Sequence, residues 1–152
     1  SRELFTSISN QLGELDFDGK ISLYSNNEPL LDARVYDFAA MTRAKVPDAQ
    51  ISIFTNGALL TVERFQKLIP HLDQLVIDDY TKEGRFHDHI AEVKEYWNAN
   101  QIPGKDVVFW LRRPDSLLSS RGGTAPNRTV TPTLRSSCLL PFCQMIVRPD
   151  GS

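Results

Sequence analysis

Apolar positions along the chain fall into two rhythms. Four short runs, at 21–25, 51–55, 74–78 and 107–111, are rich in Ile, Val, Leu and Phe and lack clean polar alternation. Runs of that kind suit strands of a parallel sheet, buried on both faces. Between them the apolar residues are spaced for helices. Leu4, Phe5, Ile8, Leu12 and Leu15 form one stripe, and Val35, Phe38 and Met41 a second. Thr61 is placed to cap a third, with Val62, Phe65, Leu68 and Ile69 inward. Phe86, Ile90, Val93 and Trp97 mark a fourth. The predicted order is αβαβαβαβ, with enough chain between strands for parallel crossovers. The predicted class is α/β, a partial (β/α) barrel of about four parallel strands with covering helices.

The pattern breaks near Pro114. Residues 114–137 are crowded with Ser, Thr, Arg, Pro and Gly and read as a linker. A short apolar run follows at 144–147, then Pro149-Asp150-Gly151, the signature of a strand and a turn. The predicted division is therefore 1–113, a linker at 114–137, and the opening of a further domain at 138–152. A chain that opens on a helix and closes on a turn is expected to be a piece of a longer one.

Composition narrows the function classes. A net charge of −2 over 152 residues argues against nucleic-acid binding by bulk positive charge. No apolar run approaches the roughly 18 residues of a membrane span. Two cysteines, Cys138 and Cys143, are too few for a four-cysteine metal site. A reduced, cytoplasmic protein is the expectation.

Ligands of α/β proteins bind beyond the carboxyl ends of the strands. Here those ends carry Ser25-Asn26-Asn27-Glu28-Pro29, Thr55-Asn56-Gly57, Asp78-Asp79 and Arg112-Arg113. On one rim they would offer carboxylates to an ammonium and to ribose hydroxyls, and guanidinium to a carboxylate. Singly, each has a plainer reading. Asn-Asn-Glu-Pro can be a turn that starts a helix with Asp32 as its N-cap, Thr-Asn-Gly a turn, Asp78-Asp79 a solvated strand end. The order in which they recur along the chain favours the joint reading.

With these residues in place, the chain resembles the radical S-adenosylmethionine (SAM) superfamily, in particular members with a C-terminal SPASM or twitch-type domain. Residues 21–32 are similar to the family's second strand and its glycine–glycine–glutamate motif, with Asn26 and Asn27 in the glycine positions. Residues 51–57 resemble the third strand, and 75–78 the fourth. Arg121-Gly122-Gly123 resembles the approach to the tail domain, and Cys138-Leu139-Leu140-Pro141, then Ile146 and Asp150-Gly151, resembles that domain's opening. The family's three-cysteine motif has no counterpart in the chain. The resemblance implies an enzyme that cleaves SAM to a 5′-deoxyadenosyl radical, with a 4Fe–4S cluster, for hydrogen abstraction from a peptide or small-molecule substrate. It implies that Glu28 holds the SAM ammonium and that Asn26, Asn27, Thr55 and Asn56 shape the pocket. Asp78 would meet the ribose, Arg112 or Arg113 the SAM carboxylate, and Cys138 an auxiliary cluster. Without the three cysteines the 152 residues alone are expected to be inactive, and their bare strand edges to favour self-association. The alternative is a non-catalytic α/β ligand-binding module. A metal site at His87 and His89 is disfavoured, because helical residues two apart do not face each other. A thiol enzyme using Cys138 or Cys143 lacks a matched histidine nearby in sequence, and Cys143 reads as a small core residue.

Overall fold

The computed structural model describes residues 1–25, 27–112, 143–148 and 151. Contacts divide the chain into two units, Arg2–Pro114 and a second comprising Ser1 with Asp115–Ser152. The first unit is α/β: four parallel strands and four α-helices. They run α1 (Arg2–Glu14), β1 (Lys20–Ser22), α2 (Val35–Lys45), β2 (Gln50–Thr55), α3 (Val62–Leu68), β3 (Gln74–Tyr80), α4 (Asp88–Ala99) and β4 (Asp106–Arg112). Single 3₁₀ turns stand at Pro29–Leu31 and Ile69–His71. Sheet order follows chain order, and every pair is parallel, with Ile51 opposite Ile21, Val76 opposite Phe54 and Ile77 opposite Phe109.

The pleat sorts the side chains. Ile51 and Ile53 of β2 and Leu75 and Ile77 of β3 are fully buried and join Ala39, Phe65, Leu68, Ile90, Val93 and Trp97 from the helices in one core. Each of the larger aliphatic side chains contributes roughly 1.5–3 kcal/mol by leaving water. Ser52, Phe54, Val76 and Asp78 alternate with them and lie on the opposite face. Rings continue the packing at both edges. Phe5 of α1 stacks on Phe38 of α2 with centroids 4.1 Å apart, and Phe86 meets Phe109 edge-on at 6.3 Å.

Two local expectations are revised and one holds. β1 is shorter than its apolar run, although the Leu23 amide still donates to Ser52 O at 3.1 Å. The chain must leave the sheet there to bring Glu28 back over β2. Asp32 does not cap α2. Arg34 is the cap residue, and Asp32 accepts from its amide at 3.0 Å. Thr61 does cap α3, accepting from Arg64 N at 3.3 Å.

In the second unit, 144–148 form no strand and are exposed, so an apolar run of that length does not by itself make one. Cys143 is exposed rather than core. The linker, Arg113 and Cys138 lie outside the described residues, as does Asn26.

Candidate functional site

The carboxyl ends of β1 and β2 meet through one glutamate. Glu28 precedes the Pro29–Leu31 turn and caps it, its Oε1 accepting from Leu30 N at 3.1 Å. The same oxygen accepts from the Thr55 hydroxyl at 2.6 Å, and Oε2 accepts from Asn56 N at 2.7 Å. A carboxylate has about four acceptor positions, so three bonds leave one on Oε2. Glu28 is only partly buried, and that position suits a single N–H of an ammonium.

Thr55 and Asn56 stand together with Glu28, as expected, but with divided roles. Thr55 is 1% exposed, and its hydroxyl donates to Glu28 while accepting from Gly57 N at 3.0 Å. It positions the carboxylate and has no donor left for a ligand. Asn56 turns its side chain back on Ala58 N at 2.9 Å. Gly57 takes φ +74°, and a Cβ there would sit 2.7 Å from Ile90 Cδ1, so the turn demands glycine on two counts. Asn27 is exposed and accepts from Ser25 N at 3.1 Å, closing the turn in front of Glu28.

The two adjacent aspartates separate because successive strand residues face opposite ways. Asp78, fully buried, shares the face of Ser52 and Phe54. Arg112 reaches it from β4, Nε donating to Oδ1 at 3.0 Å and Nη2 lying 2.9 Å from Oδ2. By accepting from it, Asp78 raises the Arg112 pKa above its usual value. The residues expected to meet ribose and carboxylate separately are thus paired with each other. The pairing is incomplete: Asp78 Oδ2 is near Nη2 yet accepts no well-aligned hydrogen bond among the described residues. A buried carboxylate oxygen in that condition suits a hydroxyl donor. Phe54 and Trp110 lie beside this pair, rings edge to face at 5.6 Å, with Tyr24 5.9 Å from Phe54.

Asp79 faces the helices instead. It is 3% exposed, and its carboxylate takes both the His87 amide (2.8 Å) and His87 Nδ1 (2.6 Å). His89 Nε2 is 3.2 Å from Gly57 O. The two imidazoles lie 5.9 Å apart rather than on separate faces. His87 comes before the first helical residue and has ψ 147°, so the helical period does not govern its direction. Asn56, Ala58, Asp79, Tyr80, His87 and His89 line an open cavity of about 360 Å³. Sequence reasoning passed over this cluster. The signal was present in a carboxylate at a strand end followed by two histidines at the next helix start.

Among the described residues no group of three or more His, Cys, Asp or Glu could hold a metal ion. The described residues therefore do not fit a 4Fe–4S cluster. No described helix is long and apolar enough to cross a membrane.

Fold and rim together define a parallel α/β protein with carboxylates at the carboxyl ends of its strands. Comparison with known proteins is more particular. The chain is 31% identical over 150 residues to the S-adenosyl-L-methionine-dependent 2-deoxy-scyllo-inosamine dehydrogenase of Niallia circulans, a match spanning 98% of this chain and 58% of that enzyme. The chain thus spans little more than half the length of the curated relative it matches. Its fold is similar to that of BtrN in complex with AdoMet and 2-DOIA, with a TM-score of 0.66 and 30% identity, covering 85% of this chain and 50% of that one. Selenomethionine BtrN in an open conformation matches with a TM-score of 0.54 and 26% identity, over 74% and 44%. No family model matches the chain.

These matches correct the resemblance to SPASM- or twitch-tailed radical SAM enzymes. The relative that spans 98% of the chain is a SAM-dependent dehydrogenase of 2-deoxy-scyllo-inosamine, and that enzyme replaces the tail-bearing group as the point of reference. The misassignment has a physical source. The tail was inferred from short Gly-, Pro- and Cys-containing stretches, and such turns recur wherever a chain reverses. Those that carried it, 121–123 and 138–141, lie outside the described residues.

Proposed function

We propose that the whole protein, of which this chain is at least a part, is a SAM-dependent oxidoreductase acting on a small hydroxylated amine. The observation that carries this reading is the Glu28 carboxylate, locked by Leu30, Thr55 and Asn56 with one acceptor position unused. The identity to a SAM-dependent dehydrogenase supports it. In this reading Glu28 holds the SAM ammonium. Asp78 offers its under-bonded Oδ2 to a ribose hydroxyl while Arg112 lies against the same carboxylate. Asn27 and Asn56 border the amino-acid end of the seat. SAM, when bound, supplies the group that removes a hydrogen atom from a carbon–hydrogen bond of the substrate. The chain's own part is to fix SAM at the strand ends and to hold a charged group against each of its polar ends.

Glu28→Gln tests this. It keeps the shape and removes the charge. SAM dissociation constants measured by calorimetry on the whole protein should rise roughly 10- to 100-fold, the worth of a hydrogen bond to a charged group. Asp37→Ala, on the outer face of α2 beside Arg2, should leave affinity unchanged. Equal affinities for wild type and Glu28→Gln would remove the basis of the reading.

A further inference from the structure

The cavity between the β2–α3 and β3–α4 turns lies outside the SAM seat proposed above, touching it only at Asn56. Its hydrogen bonds set which nitrogen of each imidazole donates. The Asp79 carboxylate accepts from His87, so Nδ1 carries the proton and Nε2 is an acceptor. The Gly57 carbonyl can only accept, so His89 Nε2 carries its proton and Nδ1 is the acceptor. In its neutral form each ring would present one basic nitrogen beside the cavity, and one of them is backed by a carboxylate whose side chain is 4% exposed. The second ring lies 5.9 Å from the first.

We infer that this cavity binds the hydroxylated amine substrate and that His87, held by Asp79, accepts a proton from one of its hydroxyl groups. In that step the substrate O–H bond breaks, an N–H bond forms at His87 Nε2, and the electron pair stays on oxygen. Asp79, already bonded to Nδ1–H, stabilises the imidazolium. Oxidation of a carbinol to a ketone requires the loss of a hydrogen atom from carbon, of this proton from oxygen, and of one further electron, which passes to a one-electron acceptor of the whole protein. His89 Nδ1 accepts from a second hydroxyl or from an amine, and the cavity is large enough for a six-membered ring bearing such groups. His87 is the catalytic residue of this proposal and Asp79 its positioning residue. The inference takes its ligand class from the reading above, but its geometry is independent of Glu28.

The test is a nitrogen-resolved NMR titration of the histidine rings in the full chain, with 2-deoxy-scyllo-inosamine and SAM added to separate samples. The aminocyclitol should shift His87 Nε2 saturably, and His87→Gln should weaken its binding roughly three- to tenfold, the loss of one hydrogen bond. Asp79→Asn should fold, release the Nδ1–H tautomer of His87 and weaken binding in step. An unchanged tautomer would remove Asp79 from the positioning role. If SAM binds through Glu28 while the aminocyclitol leaves His87 Nε2 unmoved, the inference is overturned and the proposed function stands. If the aminocyclitol shifts His87 while SAM affinity ignores Glu28→Gln, the cavity stands and the SAM seat falls. If neither ligand binds, both fall.

Discussion

Thr55 shows how much one hydroxyl can organise. At 1% exposure its single donor goes to Glu28 and its lone pair to Gly57 N, so it joins the β1 and β2 ends and sets the turn that follows. Thr55→Val keeps the shape and strips both bonds, leaving a buried Gly57 amide without its acceptor. The cost should be about 1–3 kcal/mol, read as a lower urea midpoint at unchanged slope, with Thr55→Ser recovering most of it. A midpoint unmoved in Thr55→Val would mean that Glu28 is held by its backbone donors alone. The order of the strand ends already set Glu28, Thr55 and Asn56 on one rim, and these three do converge. What a string of letters does not display is which bonds the residues spend on one another. Asp78 and Asp79 look equivalent in sequence, yet the pleat sends one to Arg112 and the other to His87. His87 and His89 were judged by helical spacing, but His87 has an extended backbone and escapes it.

At the scale of elements, the strand runs and the Thr61 cap were legible because period and capping chemistry are local. The entry to α2 was not. Asp32 is too far upstream to cap the helix. Instead it grips the Arg34 side chain and amide, with Nη2 at 2.7 Å from Oδ2. Arg34, hydrogen-bonded to it, lowers the Asp32 pKa from an ordinary 3.8 to about 2. Since the folded value lies below the unfolded one, the contribution is complete above about 3.8 and is lost as pH falls through about 2. The pair is largely exposed, so its effect should be local. Carboxyl NMR shifts of Asp32 should titrate with a midpoint near that low value in wild type and return to the ordinary range in Arg34→Gln. An ordinary midpoint in the wild type would mean that the turn before α2 is not held by charge. β1 illustrates the opposite limit. Its apolar run continues past Ser22, but Glu28 can reach Thr55 only if the chain leaves the sheet early.

For the molecule as a whole, the two faces of the sheet have unequal cover. Helices seal the face of Ile51, Ile53, Leu75 and Ile77. On the other, Trp110 is 47% and Tyr80 52% exposed, and β4 pairs only with β3 among the described residues. An aromatic surface next to a strand with one unpaired edge favours association. The 152-residue chain should therefore sediment with a mass that grows with concentration over the micromolar range. Trp110→Lys places a charge in that surface without touching the core. It should weaken self-association by roughly tenfold or more, as loss of a buried aromatic anchor does, while leaving the thermal midpoint nearly unchanged because Trp110 is half exposed. If instead both proteins sediment as the same monomer, the open face is not adhesive. Its aromatic residues would then be read through the neighbouring Asp78–Arg112 pair, as part of the SAM seat. If association persists in Trp110→Lys, the contact runs through the strand edge rather than the rings, and a proline in the outer edge of β4 becomes the discriminating substitution.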